Sequence, residues 1–202
     1  MGQYFLVANL TKESYITPFS LNQGAKLLEH GYLLNDLSQT VLSLLKKEWK
    51  GDEIAWVGDY YEPVYESDQY IPSYEYIIQN YKLYSSKLKK LPKKYRYLNN
   101  LTLKKTIDLS KVNVKYLDED PDTFILSPVT FLTALGNGEG GGDLQDEKHH
   151  IYEVIGNWAG HELSVSSKIP EEFSLDTSFI FETNSEHYLK SLISSTPTME
   201  KL

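Results

Sequence analysis

The sequence predicts an α+β protein built from two related strand–helix–strand modules that share one core. The first observation is an echo: residues 4–11 read YFLVANLT and residues 95–102 read YRYLNNLT. A second echo follows in the same order, with WKGD at 49–52 matched by WAGH at 158–161. Ordered echoes of this kind indicate an internal pseudo-repeat. Strands alternating with helices in each copy indicate the α+β class, and modules this small need each other to bury a sheet face.

The composition divides the chain into three expected segments. Residues 1–66 form the first α+β module, residues 67–93 a connector that carries a helix, and residues 94–202 the second α+β module with a C-terminal helix. An acidic stretch from Gly58 to Pro72, rich in tyrosine and punctuated by prolines, is interpreted as the connection between the modules and runs into this segment. Such punctuation is typical of linking segments.

Apolar strands and capped helices are expected in the first module. Asn35 or Asp36 can cap its longer helix. Within that helix, Leu37, Val41 and Leu44 recur on one side at helical spacing. In order, the expected elements are strands at 3–9 and 14–17, helices at 24–30 and 36–48, and a strand at 53–57.

The connector helix and the second module follow the same rules. Ser73 is expected to cap a helix whose apolar face extends to Leu88 and which Pro92 ends. Ser127 followed by Pro128 is typical of a helix start. In order, the expected elements of the second module are strands at 95–101 and 105–109, a helix at 129–135, a glycine-rich loop at 136–143, strands at 151–155 and 162–166, an edge strand at 179–181 and a helix at 185–193.

Charge and composition narrow the function classes. The 202 residues carry a net charge of −8, which argues against general nucleic-acid binding because phosphate contacts need a basic surface. The chain has no cysteine, no apolar run of the roughly 20 residues that a membrane helix needs, and no signal-peptide pattern in its first residues. We therefore expect a cytoplasmic protein with no membrane partner. Its 16 tyrosines are typical of contact surfaces, since each ring is apolar with one polar tip.

Positive charge is concentrated between two acidic stretches. The basic residues there are Lys82, Lys87, Lys89, Lys90, Lys93, Lys94, Arg96, Lys104 and Lys105. Charge runs usually form solvated helix ends and linkers. The alternative is a local anion-binding face on an otherwise acidic protein.

The glycine-rich loop at 136–143 is the strongest local candidate for a ligand site. The candidate ligand-binding residues, including one nearby histidine, are Gly138, Gly140, Gly141, Gly142, Asp143 and His161. Glycines let backbone N–H groups converge on an anion, although Glu139 and Asp143 would repel phosphate. The loop lacks the Gly-Lys-Ser/Thr of a P-loop, and it follows a helix rather than the strand of a dinucleotide fingerprint. The alternative is a connecting loop without a ligand.

No catalytic residue, metal site or cofactor is predicted. His149 and His150 open an expected strand, where their side chains should point to opposite faces and not share a ligand set. One of them could still meet His161 and Asp143. No spacing matches a metal motif, and no cysteine or Gly-x-Ser-x-Gly serine offers a nucleophile.

Trp49 and Trp158 are assigned structural roles. Each begins a tight turn before an expected strand, and duplicated aromatic residues at turns usually mark the core. The alternative places the two turns side by side at a pseudo-symmetric pocket.

Several segments together carry a resemblance to a known family. They are MGQY at 1–4, GAKLLEH at 24–30, WVGDY at 56–60, and LTALGNGEGGGD at 132–143 followed by NWAG at 157–160. These segments resemble a family of uncharacterised proteins of bacteria and their phages, with an MGQY start, a WxGD or VGDY turn and a GNGxGGGD loop. Similar proteins carry Asp after the glycine of the tryptophan turn, as Asp52 does here, whereas the second copy has His161. The resemblance implies a small cytoplasmic protein from a mobile-element or defence-related setting, and it supplies no catalytic residues.

The expected function is that of a non-enzymatic cytoplasmic binding protein that acts on another protein, as an inhibitor or an immunity- or anti-defence-type protein. Negative charge, abundant tyrosine and the lack of a coherent catalytic set favour it. The alternative is a nucleotide- or phosphometabolite-binding protein, or a metal-assisted hydrolase, that binds a small anionic ligand at the 136–143 loop. A pocket between the halves holding that loop and a histidine would favour the alternative. A flat, acidic, tyrosine-rich face would favour the binding protein.

Overall fold

A mixed sheet flanked by helices forms the frame of the molecule. The computed structural model describes residues 2–64, 70–85, 89–116, 124–136, 138, 140, 143 and 151–180. Within them, the sheet has nine strands and there are four α-helices. The strands are β1 (Phe5–Asn9), β2 (Ser14–Ile16), β3 (Asp52–Gly58), β4 (Lys82–Leu83), β5 (Tyr97–Asn100), β6 (Lys105–Asp108), β7 (Ala134–Leu135), β8 (His161–Ser166) and β9 (Ser174–Leu175). The helices are α1 (Leu27–His30), α2 (Asp36–Leu45), α3 (Tyr74–Asn80) and α4 (Pro128–Leu132).

The strand order places one hairpin in each half of the sheet. The order is β4-β2-β1-β3-β8-β5-β6-β9, and β7 also pairs with β3. The hairpins are β1–β2 and β5–β6, and both are antiparallel. The two-residue strands β4 and β9 run parallel to their neighbours at the edges. The α+β class expected from the sequence is therefore confirmed, with strands from both ends of the chain in one sheet.

The two halves of the sheet meet where β3 pairs with β8. The antiparallel pairs are Asp52 with Leu163, Glu53 with Glu162 and Ile54 with His161. A glycine precedes each strand with a positive φ, +80° at Gly51 and +73° at Gly160. This conformation turns each amide onto the opposite strand: Gly51 N donates to Leu163 O and Gly160 N to Ile54 O, both at 2.8 Å.

Each face of the sheet carries its own apolar cluster. Alternate side chains point to opposite faces, so Val7 and Trp56 join one cluster while Leu6 and Val57 join the other. The larger cluster lies under α1, α2 and α4 and includes Trp49 and Trp158. The smaller one lies under α3, which contributes Ile77.

The helices over the larger cluster begin and pack as their sequences dictate. Asn35 caps α2 by accepting from Leu37 N at 2.8 Å. A buried hydrogen bond of 2.9 Å joins Ser38 Oγ on α2 to Thr130 Oγ1 on α4. None of the helices among the described residues is long and apolar enough to cross a membrane.

The connector helix is shorter than expected. Ser73 caps it by accepting from Tyr76 N, but the helix ends at Asn80, because Tyr81 takes an extended conformation. The chain then pairs with β2 as β4, where Lys82 N donates to Glu13 O at 2.9 Å. Tertiary strand pairing overrides the helical apolar pattern here; Leu88 lies outside the described residues.

Two further elements of the second module differ from the expectation. The helix expected at 129–135 ends at Leu132, and Ala134–Leu135 forms β7 beside β3. The strand expected at 151–155 is instead a 3-10 turn at Tyr152–Val154, with Val154 N donating to Ile151 O at 3.0 Å. Periodicity alone does not distinguish a strand from a helical turn in so short an apolar run.

The edge strand of the second half was also placed wrongly. It is β9 at Ser174–Leu175, parallel to β6, rather than residues 179–181. Phe179 and Ile180 end a turn in which the Phe179 ring is buried in the core. The segment is apolar because Phe179 is buried in the core, and not because it forms a strand. Residue 181 and the helix expected at 185–193 lie outside the described residues.

Trp158→Ala is expected to lower the free energy of unfolding by roughly 3–5 kcal/mol, because the buried indole would leave a cavity in the larger cluster. Urea denaturation measures the change. Phe19→Ala is the control, since that ring is 65% exposed, and its effect should stay within about 0.5 kcal/mol. A loss below about 1 kcal/mol for Trp158→Ala would contradict a core role for the ring.

Candidate functional site

A buried glutamine connects the glycine-rich loop to the segment after β3. The side chain of Gln3 is fully buried. Oriented so that both neighbours are satisfied, its amide nitrogen donates to Asp143 Oδ2 at 2.5 Å and its oxygen accepts from Tyr60 N at 3.0 Å. One side chain therefore holds two segments that are far apart in the sequence.

Three glycines make room for Gln3. A Cβ added at Gly58, Gly136 or Gly140 would lie 2.4, 2.5 or 2.3 Å from the nearest atom of Gln3. These separations are far below van der Waals contact, so a larger residue requires Gln3 to move. Packing thus accounts for Gly136 and Gly140 in the loop, whereas Gly138 has a φ of +71° that suits glycine. Gly141 and Gly142, two of the candidate ligand-binding residues, lie outside the described residues.

A cavity of about 300 Å³ lies beside the loop, between the first strand and the second half of the chain. Its lining is about equally apolar and polar, with a carboxylate, a tyrosine and glycine backbone as the polar part. The lining residues are Phe5, Leu27, Ala134, Leu135, Gly136, Gly138, Asp143, Tyr152 and Ile155. The structure thus brings Gly138 and Asp143 to one cavity.

Asp143 is an incompletely paired acid in this cavity. Only 6% of the residue is exposed, and its buried Oδ1 has no hydrogen-bond partner in the part of the chain that the structure describes. Burial raises the pKa of Asp143 to about 6; a backbone hydrogen bond at Gly140 acts against the shift, and the negative charge of Asp59 adds to it. A group with donor hydrogens placed in the cavity would satisfy Oδ1.

The charge of the cavity does not favour a phosphate. Asp143 is its one charged lining residue among those described, and a carboxylate repels an anion. The basic stretch lies elsewhere: Lys89 pairs with Glu48 at 2.6 Å and Lys104 with Glu172 at 2.8 Å. No lysine of the basic stretch is among the described residues that line the cavity.

The structure separates His161 from the glycine-rich loop. His161 pairs with Ile54 near the start of β3, whereas the loop follows β7, which pairs near the end of β3. Asn100 Nδ2 donates to His161 Nδ1 at 2.8 Å, and burial lowers the pKa of the imidazole. The order of strands thus places His161 and the loop that contains Gly138 and Asp143 toward opposite ends of β3. His149 and His150 lie outside the described residues.

His30 is structural. Its Nε2 accepts from Trp56 Nε1 at 3.1 Å and its Nδ1 donates to Gly24 O at 2.9 Å, which fixes a neutral tautomer. Burial lowers the pKa of His30 to about 4. Complete burial makes the neutral ring the stable form.

An acidic, tyrosine-rich face lies next to the cavity. We call it the acidic face; it surrounds an open concavity of about 520 Å³. Its residues are Asp59, Tyr60, Tyr61, Glu62, Pro63, Ser73 and Glu75. Beside it on α3, Tyr76 and Ile78 are 50% and 42% exposed, large values for apolar side chains on a short helix. Three carboxylates and no basic residue line the concavity among the described residues.

Gln3 also positions the acidic face. The Tyr60 amide bonds to Gln3, and Asp59 exchanges two hydrogen bonds with Tyr4, through its backbone amide at 2.9 Å and its carboxylate at 3.0 Å. Sequence reasoning noted the acidic tyrosine stretch as a connector but missed Gln3 and Tyr152. The available sequence signal for Gln3 was a pair of glycines, Gly58 at the end of β3 and Gly136 after β7. Each lies too close to Gln3 to carry a side chain.

Comparison with known proteins gives no assignment. The chain matches no protein-family model, no curated protein and no solved structure. Among the described residues, no group of three or more histidine, aspartate or glutamate side chains is placed to hold a metal ion. The acidic face and the cavity are therefore the features that bear on function.

Gly136→Ala is expected to lower the free energy of unfolding by roughly 1–3 kcal/mol, because the new methyl group overlaps the Gln3 amide. Gln3→Ala should cost a similar amount, since it leaves Asp143 Oδ2 and the Tyr60 amide unpaired. In the Gln3→Ala background, Gly136→Ala should cost little. A double-mutant cycle by urea denaturation measures this coupling.

The control for this cycle is Gly51→Ala, whose cost arises from a φ of +80° and should not depend on Gln3. Strictly additive costs for Gly136→Ala and Gln3→Ala would contradict direct packing of Gln3 against Gly136.

Asp143→Asn is expected to stabilise the protein at neutral pH but not near pH 4. The folded-state pKa of about 6 lies above the ordinary 3.8, so between these values the folded state binds more protons than the unfolded state. Stability of the wild type therefore falls as pH rises through this window, and the asparagine variant lacks this loss. Unfolding free energies at pH 4, 5, 6 and 7 test the trend, with Glu62→Gln as a control. A difference between variant and wild type that is constant over pH would contradict it.

Proposed function

We propose that this chain is a non-enzymatic binding protein that docks a basic surface of another protein on its acidic face. The observation that carries the proposal is the concavity lined by Asp59, Glu62 and Glu75 together with tyrosines. Tyrosine is enriched at protein interfaces, where a rigid ring gives contact area and its hydroxyl gives a hydrogen bond. A patch of one charge sign attracts a partner of the opposite sign and raises the association rate.

The exposed apolar residues near the acidic face support the same role. On α3, Ile77 is buried against the sheet, while Tyr76 and Ile78 face outward. Tyr70 is 47% exposed just before this helix. Aromatic and aliphatic anchors bordered by charged groups are the usual composition of a contact surface.

A binding role also agrees with the state of the two described histidines. His30 and His161 each hold a structural hydrogen bond, and burial lowers the pKa of both. Neither lines the cavity or the acidic face. An inhibitor or an immunity- or anti-defence-type protein acting on a basic partner is the specific form of this proposal.

We also infer that the two halves are copies of one unit, an internal pseudo-repeat. Supporting this, Leu10 N and Leu101 N donate to Glu53 O and Glu162 O, at 2.9 and 2.8 Å. The hydroxyls of Thr11 and Thr102 accept from the amides of those same two glutamates. Superposition of residues 3–60 on 94–166 should place Trp49 on Trp158; tryptophans on unrelated elements after superposition would contradict the inference.

The experiment for docking reverses charge on the acidic face. Tagged wild-type protein is cross-linked in its source organism, and the captured protein is then purified for direct titration. Glu62→Lys with Glu75→Lys should weaken that binding at least about tenfold, and the wild-type association rate should fall as salt rises. The matched control is Glu171→Lys with Glu172→Lys, which changes the same charge at exposed sites outside the face and should leave affinity unchanged.

Two results would contradict the proposal. One is a captured partner whose affinity depends on Glu171 and Glu172 but not on Glu62 and Glu75. The other is a partner with an acidic contact surface, whose binding the reversed charges would strengthen.

A further inference from the structure

Beyond the docking role, we propose that the cavity next to the loop binds a small organic cation with an apolar body, an amine or amidinium whose N–H groups bond to Asp143. The inference rests on the described residues of the cavity alone. It differs from the anionic ligand that the glycine-rich sequence first suggested.

One carboxylate oxygen of Asp143 needs a donor. Its Oδ2 accepts from the Gln3 amide, but its Oδ1 is buried and has no hydrogen-bond partner among the described residues. A buried acceptor without a donor is costly, and most buried polar atoms in proteins are paired. Since Asp143 lines the cavity, a ligand there can supply the missing donor.

The charges around the cavity favour a cation. No lysine or arginine is among the described residues that line the cavity, and the negative Asp59 acts on Asp143. A positively charged donor gains from both carboxylates, whereas a phosphate or carboxylate ligand would be repelled by them. Charge-assisted hydrogen bonds to a carboxylate are about twice as strong as neutral ones.

The size of the cavity and the rest of its lining suit a small ligand with an apolar body. Phe5, Leu27, Leu135 and Ile155 give an apolar wall, which suits a hydrocarbon or aromatic body. The volume of about 300 Å³ is at the lower end of ligand pockets. Near the loop, the Tyr152 hydroxyl lies 3.9 Å from where a Gly138 Cβ would be, so it can meet a second polar group of the ligand.

The test compares four probes with one ring and different head groups: benzamidine, benzylamine, benzyl alcohol and phenyl phosphate. Calorimetric titration of the wild-type protein at pH 7 should give binding by the two cations, at least about tenfold weaker binding by the alcohol, and none by phenyl phosphate. Benzamidine should also raise the melting temperature by mass action. Tighter binding of phenyl phosphate than of benzamidine, or no binding by any probe at millimolar concentration, would overturn the proposal.

The variants locate the site. Asp143→Asn should weaken benzamidine at least about tenfold, because the asparagine keeps the shape but removes the charge. Glu62→Gln is the matched control and should leave the affinity unchanged, since Glu62 belongs to the acidic face. Leu135→Trp, which fills the cavity and keeps the acid, should also abolish binding. Benzamidine affinity that is retained in both Asp143→Asn and Leu135→Trp would overturn the proposal.

Discussion

The short antiparallel pairing of β3 with β8 is the contact on which the rest of the structure depends. Three residue pairs join two hairpin-containing halves into one sheet, and the larger apolar cluster lies across that seam. Without the pairing, β3 and β8 would each lose a neighbour and leave unpaired backbone groups at the centre of the sheet. The left-handed conformations of Gly51 and Gly160 extend the pairing by one amide at each end.

The seam also explains an asymmetry between the two halves. Asp52 and His161 begin β3 and β8, and an asparagine side chain bonds to each of them, from Asn9 and Asn100 respectively. Lys12 forms an ion pair with Asp52, while Leu103 occupies the corresponding hairpin position in the second half. In the pseudo-repeat proposed above, β3 thus begins with an acid that has a cationic neighbour, whereas β8 begins with an imidazole and has leucine at the matching hairpin position. Because the second half has leucine rather than lysine at this hairpin position, it has less need of an aspartate at the start of β8.

Local patterns predicted the strands better than they predicted the site. Short apolar runs located β1, β2, β3, β5, β6 and β8 within a few residues, because this signal is contained in neighbouring positions. The cavity depends instead on tertiary contacts: Gln3 reaches the loop only after β1, β3 and β7 have paired. Asp143 was a candidate from the loop motif, yet its burial and unpaired oxygen follow from that same packing. His161 was misplaced for the complementary reason, since proximity in sequence to the loop is lost when the strands separate them.

The two-residue strands β4 and β9 have a consequence for solubility. Each ends the sheet as an exposed pair of residues, and β4 places Lys82 on that boundary. An intermolecular strand would find few backbone groups to pair with there and a lysine to desolvate, both of which oppose cross-β association. The concentrated protein should therefore resist fibril formation through these edges, even though β1 and β3 are nearly continuous runs of buried apolar residues that would associate readily if exposed.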